Sequence, residues 1–201
     1  MLDTAARRLI DPPLNRLGRR LAARGMSADH VTLAGLAFGL LAAALIAVGF
    51  PSVALIPLLL SRLADGLDGA VARASRKSDF GGFLDITSDF AFYGAVPFAF
   101  ALLDPQANAI AAGFLLLSFY INGASFLGFA ILAEKRGLTT SKKGQKSLYF
   151  SDGLLEGTET ILFFVALCVA PALFAPLAWG FGLLCLITAV LRVHAAWRLF
   201  P

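Results

Sequence analysis

Four aspartates lie in two pairs inside stretches of this sequence that are otherwise apolar. Asp65 and Asp68 are three residues apart, and Asp85 and Asp89 are four apart, so each pair shares one face of a helix. Carboxylates that converge in an apolar setting repel one another unless a cation joins them. Since the cluster offers only oxygen ligands, it suits Mg²⁺, Mn²⁺ or Ca²⁺ better than Zn²⁺. Two such ions could hold a pyrophosphate and stabilise the charge that develops when its bond breaks.

The composition places these aspartates in a membrane protein. Of the 201 residues, 58% are hydrophobic and 15% charged, and the mean hydropathy is +0.78, which indicates an integral membrane protein. The first 26 residues carry six arginines in an amphipathic pattern, so we expect a retained segment rather than a cleaved signal peptide. Cys168 and Cys185 lie in apolar runs without metal-type spacing and are interpreted as buried hydrophobic residues.

Six apolar stretches are long enough for membrane-spanning helices, which need roughly 20 residues each. They lie at residues 31–50, 53–73, 80–103, 107–133, 154–170 and 177–199. The predicted fold is therefore an all-α integral membrane protein with six transmembrane helices, preceded by an amphipathic interfacial helix within residues 1–26. We expect one domain over residues 1–201, with the six-helix bundle at 31–199.

The distribution of basic residues predicts the orientation of this bundle. Lysine and arginine occur in the N-terminal segment and in the loops at 74–79 and 134–153, whereas the loops at 51–52, 104–106 and 171–176 have none. Because basic loops stay in the cytoplasm, both termini should be cytoplasmic. The short 74–79 loop should make the second and third helices antiparallel neighbours, with all four aspartates near the cytoplasmic face. The net charge of +4 fits anionic lipid headgroups and does not call for nucleic acid.

Small residues stand beside the aspartates in the same two stretches. Gly69 and Ala72 come one turn after Asp65 and Asp68, and Gly81 comes one turn before Asp85. Such positions leave bare backbone that a bulky ligand can approach, although small residues are also common where membrane helices pack. Asp79 directly precedes the third apolar run, so we interpret it as the N-cap of that helix rather than as a ligand.

The complete motif resembles the signature of the CDP-alcohol phosphatidyltransferase family. It reads Asp65-x-x-Asp68-Gly69-x-x-Ala72-Arg73, then seven residues, then Gly81-x-x-x-Asp85-x-x-x-Asp89. The resemblance implies an enzyme of phospholipid biosynthesis that transfers a substituted phosphate from a CDP-linked donor, commonly CDP-diacylglycerol, to an acceptor hydroxyl and releases CMP. It also implies membrane lipids as surroundings, and a homodimer is common in the family.

The same resemblance assigns roles to the residues of the motif. Asp65, Asp68 and Asp85 would bind two Mg²⁺ or Mn²⁺ ions, and Asp89 would be both a metal neighbour and the general base. Six residues of the motif would contact the nucleotide and its diphosphate: Asp65, Asp68, Gly69, Ala72, Arg73 and Gly81.

Other polar residues in or near the apolar stretches are candidates for binding the acceptor: Arg62, Asn122, Lys142, Lys143, Glu156, Glu159 and Arg192. The cationic ones suit a phosphorylated polyol, whereas the glutamates suit a cationic or hydroxyl-rich acceptor. Arg62 either binds a phosphate or forms a salt bridge with Asp65, and Arg192 either lines a cavity or extends to the cytoplasmic interface. The acceptor therefore stays open, with a small polar alcohol as the favoured class.

Two other classes of protein also use carboxylates in membranes. A Mg²⁺-dependent membrane prenyltransferase would resemble a larger bundle with two aspartate-rich motifs far apart, but here Asp85 follows Asp68 by only 17 residues. A non-enzymatic cation carrier should continue its polar residues through the outer halves of the helices, and these halves are apolar. The transferase is therefore the favoured hypothesis.

Overall fold

The fold is all-α, as predicted. The computed structural model describes residues 2–137, 155 and 157–200, with side chains from residue 10 onward, and contains no strand in these ranges. Its helices are α1 (Leu2–Ala23), α2 (Ala28–Ala47), α3 (Pro51–Ala74), α4 (Asp79–Leu103), α5 (Pro105–Lys135), α6 (Gly157–Val169) and α7 (Phe174–Leu199), with a 3₁₀ turn at Pro171–Leu173. Helices α2–α7 overlap the six predicted stretches.

Four segments in the described ranges are both long and apolar enough to cross a membrane: Ala28–Ala47, Asp79–Leu103, Pro105–Lys135 and Pro171–Leu199. Helix α3 has 24 residues but carries Arg62, Asp65, Asp68 and Arg73, and α6 has only 13 residues. Large apolar side chains cover the outside of the molecule, for example Ile110 with 77% of its surface exposed. An outer surface of this kind suits lipid, and the chain is an integral membrane protein.

The core of the bundle is built mainly from aromatic and aliphatic side chains of α2–α7. Phe92, Phe100, Leu115 and Phe164 are fully buried. Phe100 of α4 stacks on Phe174 at the start of α7, with 4.8 Å between the ring centroids. This packing joins the C-terminal end of α4 to the N-terminal end of α7.

Helix α2 packs closely against both α3 and α4, and these two helices pack more closely against α2 than against each other. Gly39 permits the close approach of α2 to α4, since a Cβ atom there would lie 2.6 Å from Cδ2 of Phe92. The connection between α3 and α4 is short, but direct packing between these predicted antiparallel neighbours is slight in the described residues. The ion pair of Arg62 with Asp89 links the two helices.

Helix α1 lies along the C-terminal half of α3. Leu14 is buried and packs over Gly66, and a Cβ atom at Gly18 would lie 2.7 Å from the Cβ of Ala70. The close contact explains why small residues face α1 in this half of α3. A helix was predicted in this N-terminal segment, and α1 covers the same half of α3 that carries the aspartates.

The start of α4 corrects one prediction. Ser78, not Asp79, is the N-cap: it has an extended backbone, and its Oγ accepts a hydrogen bond from the Gly81 N–H at 2.9 Å. Asp79 occupies the first turn of the helix, where a negative charge is favoured by the helix dipole. The apolar run located the helix correctly, but the serine hydroxyl before it makes the capping bond.

Candidate active site

Three of the four predicted aspartates form one cluster between α3 and α4. Within the described residues, Asp65, Asp85 and Asp89 each place a carboxylate oxygen so that these atoms lie within 4.8 Å of one another. All three side chains are partly exposed. Oxygen atoms at this spacing form a donor set that suits a hard divalent cation. The residues present therefore fit the metal that the sequence predicted.

Arg62 reaches into this cluster from one turn before Asp65. Its Nη1 donates to Oδ1 of Asp89 at 2.9 Å and lies 3.7 Å from Oδ1 of Asp65. Its Nη2 donates to the Ser61 hydroxyl at 3.1 Å, and its Cζ lies 4.0 Å from the centre of the Phe92 ring. Of the two roles predicted for Arg62, the structure shows the ion pair, and its shorter contact is with Asp89 rather than Asp65.

Asp68 is not part of the three-carboxylate cluster. Its Oδ2 accepts a hydrogen bond from the hydroxyl of Thr32 on α2 at 2.6 Å, and only 5% of the residue is exposed. Thr32 was missed by the sequence analysis, because it lies 36 residues away and only the packing of α2 on α3 brings it close. The hydroxyl fixes the direction in which the Asp68 carboxylate points.

The predicted nucleotide-binding positions lie in the C-terminal half of α3 and the first turn of α4. Arg73 donates from Nη2 to Oδ1 of Asn15 on α1 at 3.0 Å. A Cβ atom at Gly69 would lie 3.2 Å from Nη1 of Arg73, and one at Gly81 would lie 3.0 Å from Oδ1 of Asp29. Ala72 is half-buried on the same helix as Gly69. Both glycines thus border charged side chains, and Asn15 and Asp29 are additional neighbours that the motif alone did not indicate.

A cavity of about 630 Å³ opens from Asp89 into the region between α4, α5, α6 and α7. Tyr93, Phe119, Asn122 and Arg192 are among the residues that line it. Its size is within the range of small-molecule sites. The carboxylate that was predicted to be the base therefore stands at the wall of a cavity large enough for a substrate.

Arg192 is held inside this cavity. Its Nη1 donates to Oδ1 of Asn122 at 2.9 Å and to the Ser125 hydroxyl at 2.8 Å, and the residue is only 9% exposed. The alternative that Arg192 extends to the membrane surface is therefore wrong, because its guanidinium is bound by α5. The structure brings together Asp89, Asn122 and Arg192 from the predicted set.

The remaining acceptor candidates lie partly outside the described residues. Lys142, Lys143 and Glu156 are among the residues that the structure does not describe. Glu159 lies in the first turn of α6, and its neighbours Gly157 and Thr160 line the cavity.

The fold and the site together define an all-helical membrane protein with a carboxylate site suited to divalent cations beside a substrate-sized cavity. Residues 26–195 match the model of the CDP-alcohol phosphatidyltransferase family. The chain belongs to this family, and it is a CDP-alcohol phosphatidyltransferase. Family membership decides against the prenyltransferase and the cation carrier that the sequence had left as alternatives.

Relatives and solved structures support the same assignment. The inner membrane protein YnjF of Escherichia coli (strain K12) is 48% identical over 197 residues, which cover 98% of this chain and 96% of that protein. Archaetidylinositol phosphate synthase of Pyrococcus horikoshii is 38% identical over 94 residues, or 46% of this chain and 50% of that protein.

The fold is similar to that of Mycobacterium tuberculosis phosphatidylinositol phosphate synthase. Its complex with manganese and citrate has a TM-score of 0.72 at 24% identity, covering 92% of this chain and 88% of that one. Its complex with CDP-DAG has a TM-score of 0.65 at 23% identity, covering 92% and 93%.

Proposed function

We propose that this transferase moves a phosphatidyl group from CDP-diacylglycerol to the hydroxyl of a small polar alcohol and releases CMP. The observation that carries the proposal is the position of Asp89, which belongs to the carboxylate cluster and also lines the cavity that contains Arg192. A donor and an acceptor can therefore meet at one side chain. The structural neighbour that binds CDP-DAG supports this class of donor.

In the proposed reaction, Asp89 accepts the proton of the acceptor hydroxyl as general base. The acceptor oxygen forms a bond to the phosphorus of the phosphatidyl group, the phosphorus–oxygen bond to CMP breaks, and CMP leaves with that electron pair. Arg62 holds Oδ1 of Asp89 and so fixes the orientation of the carboxylate relative to the cavity. Gly69, Ala72, Arg73 and Gly81 would border the diphosphate and the nucleotide.

The metal ligands in this proposal are Asp65, Asp68, Asp85 and Asp89, which would hold two Mg²⁺ or Mn²⁺ ions. When bound, these ions neutralise the pyrophosphate and the charge on the departing CMP. The manganese complex of the structural neighbour and the three clustered carboxylates support divalent metal binding. The hydrogen bond from Thr32 would fix the orientation of the Asp68 carboxylate for metal binding.

For the acceptor, we propose a phosphorylated polyol that binds in the cavity with its phosphate on Arg192. The contacts of Arg192 with Asn122 and Ser125 are to uncharged oxygen atoms, so a phosphate would supply an opposite charge inside an apolar bundle. One relative is named archaetidylinositol phosphate synthase, and the structural neighbour is named phosphatidylinositol phosphate synthase. Lys142 and Lys143 would add positive charge, whereas Glu156 and Glu159 would instead favour free hydroxyl groups.

The purified protein with CDP-diacylglycerol is expected to release CMP most rapidly with phosphorylated polyols from a panel of labelled alcohols. Arg192→Gln should raise the KM for the phosphorylated acceptor by roughly 10- to 100-fold, because a hydrogen bond to a charged group contributes about 1.5–3 kcal/mol. The KM for the donor should change little. The measurement is CMP release together with identification of the lipid product.

Arg198→Gln is the matched control, since Arg198 is exposed near the end of α7 and the charge change is the same. If the wild-type protein used unphosphorylated alcohols as well as phosphorylated polyols, or if Arg192→Gln left the KM for the phosphorylated acceptor unchanged, the proposed acceptor class would be contradicted. Failure to release CMP with any alcohol would contradict the proposed activity itself.

We also propose that α2–α7 all cross the membrane, with α1 in the cytoplasmic interface, both termini in the cytoplasm and the active site near the cytoplasmic face. The basic residues of the N-terminal segment and of the 74–79 loop support this orientation.

Single cysteines are expected to report this orientation in intact cells. Gln106→Cys, in the first turn of α5, should react with a membrane-impermeant maleimide added outside, and Arg76→Cys, between α3 and α4, should react only after lysis. The two native cysteines are buried and should add little background. The opposite labelling pattern would reverse the topology.

A further inference from the structure

Arg62 contacts two of the three carboxylates that a bridging cation would use. Its Nη1 contacts Oδ1 of Asp89 and Oδ1 of Asp65, and both of these residues belong to the carboxylate cluster. A guanidinium and a divalent cation at this point carry charges of the same sign and share ligands. The contact therefore neutralises part of the negative charge of the carboxylates in the free protein, and it weakens the binding of a cation there.

The surroundings of Arg62 hold its side chain in this position. Its guanidinium lies 4.0 Å from the Phe92 ring centre and donates to Ser61, and only 9% of the side chain is exposed. Phe92 is fully buried, and Gly39 of α2 leaves no room for the ring to move toward that helix, because a Cβ atom there would already lie 2.6 Å from Cδ2. Contact with an aromatic face and enclosure on this side restrict the arginine to the direction of the carboxylates.

Arg62 does not line the cavity that contains Arg192. In the described residues, the Nε of Arg62 is buried and has no hydrogen-bond partner. A buried donor of this kind is costly, so the ion pair with Asp89 holds the side chain in place against that cost. These observations favour a role toward Asp89 over a role as a ligand of the acceptor.

We propose that Arg62 is a positioning residue, which orients Asp89 toward the acceptor and competes with the divalent cation for Asp65 and Asp89. The orienting part rests on the proposed function, in which Asp89 is the base. The competing part concerns metal binding alone. Arg62 thus raises kcat by fixing the orientation of Asp89, and it lowers the affinity for the divalent cation.

Arg62→Gln separates these two effects. Mn²⁺ titrated into the purified protein, followed by electron paramagnetic resonance of the free ion, should show tighter binding by roughly 10-fold, because a like charge beside the site is gone. The kcat should fall by roughly 10- to 100-fold with the KM for the acceptor nearly unchanged, since Asp89 loses its orienting donor. Arg62→Lys should recover part of the kcat and restore the weaker Mn²⁺ binding.

Arg198→Gln again serves as the control for the loss of one positive charge, and it should leave Mn²⁺ affinity unchanged. Unchanged or weaker Mn²⁺ binding by Arg62→Gln would overturn the competition. A raised acceptor KM at constant kcat would make Arg62 an acceptor ligand instead. Because the Mn²⁺ titration needs no turnover, it tests Arg62 even if the proposed transferase reaction fails.

Phe92→Leu provides a second test if Arg62→Gln does not yield a folded protein. It keeps the charge of Arg62 but removes the aromatic face that holds the guanidinium. As in Arg62→Gln, Mn²⁺ affinity should rise and kcat should fall, but each by only about 2- to 5-fold, as expected for the loss of a cation–π contact. Weaker Mn²⁺ binding, or a higher kcat, in Phe92→Leu would contradict the proposal, because a less firmly held Arg62 should compete less with the cation and orient Asp89 less well.

Discussion

Asp89→Asn is expected to reduce kcat by about 10²- to 10⁴-fold, the range over which a general base accelerates proton transfer. An asparagine has nearly the size of the aspartate, and its carbonyl oxygen can still accept the hydrogen bond that Arg62 donates to Asp89. The fold should therefore be kept. The amide cannot take a proton from the acceptor hydroxyl, so the chemical step should fail while the CDP-linked donor still binds.

The measurement for Asp89→Asn is CMP release beside an equilibrium binding assay with CDP-diacylglycerol. Asp79→Asn is the matched control, because Asp79 is an exposed carboxylate in the first turn of the same helix. The control should keep most of the activity. Near-normal turnover in Asp89→Asn would remove Asp89 as the base.

The central chemistry of the site was predictable because it depends on spacing along two helices. Asp85 and Asp89 are one turn apart, and the short connection after α3 returns the chain beside Asp65, so three carboxylates meet once both stretches are helical. The positions of the helices were predictable for a similar reason, since the apolar runs are long and separated by proline or basic residues. These are local signals, and each can be read within about 30 residues of sequence.

The contacts between distant helices were not predictable in the same way. Thr32 supports Asp68 across 36 residues, and Asn15 binds Arg73 across 58 residues. Nothing in the types of these residues indicates their partners, because the pairing depends on α2 and α1 packing against α3. A single sequence shows which residues share one face of a helix, and short loops show which consecutive helices are adjacent. It does not show which faces of distant helices pack together.

Arg62 shows the same limit at closer range. Its distance of three residues made Asp65 the expected partner in one of the two roles left open for Arg62, a salt bridge within α3 rather than a phosphate contact. The structure gives the shorter contact to Asp89 on α4, because Phe92 and Ser61 direct the guanidinium toward that helix. Tertiary packing thus decides between two carboxylates that are equally reasonable partners by charge.

Removal of divalent cations is expected to abolish transfer, and addition of Mg²⁺ or Mn²⁺ is expected to restore it. Asp65, Asp85 and Asp89 place oxygen atoms within 4.8 Å of one another, and the single guanidinium of Arg62 cannot neutralise all of them together with a pyrophosphate. Without the cations, the donor diphosphate would approach a cluster of like charge. The enzyme treated with EDTA and desalted should therefore release no CMP above background.

Asp85→Asn makes the metal prediction specific to this cluster. The Mg²⁺ concentration for half-maximal activity should rise by at least about 10-fold, since loss of even an outer-shell partner of a metal ligand costs 10- to 100-fold in affinity. Asp79→Asn again keeps the charge change constant outside the cluster and should leave that concentration unchanged. Full activity of the EDTA-treated enzyme would show that the carboxylates do not act through a metal, and an unchanged Mg²⁺ requirement in Asp85→Asn would place the metal elsewhere.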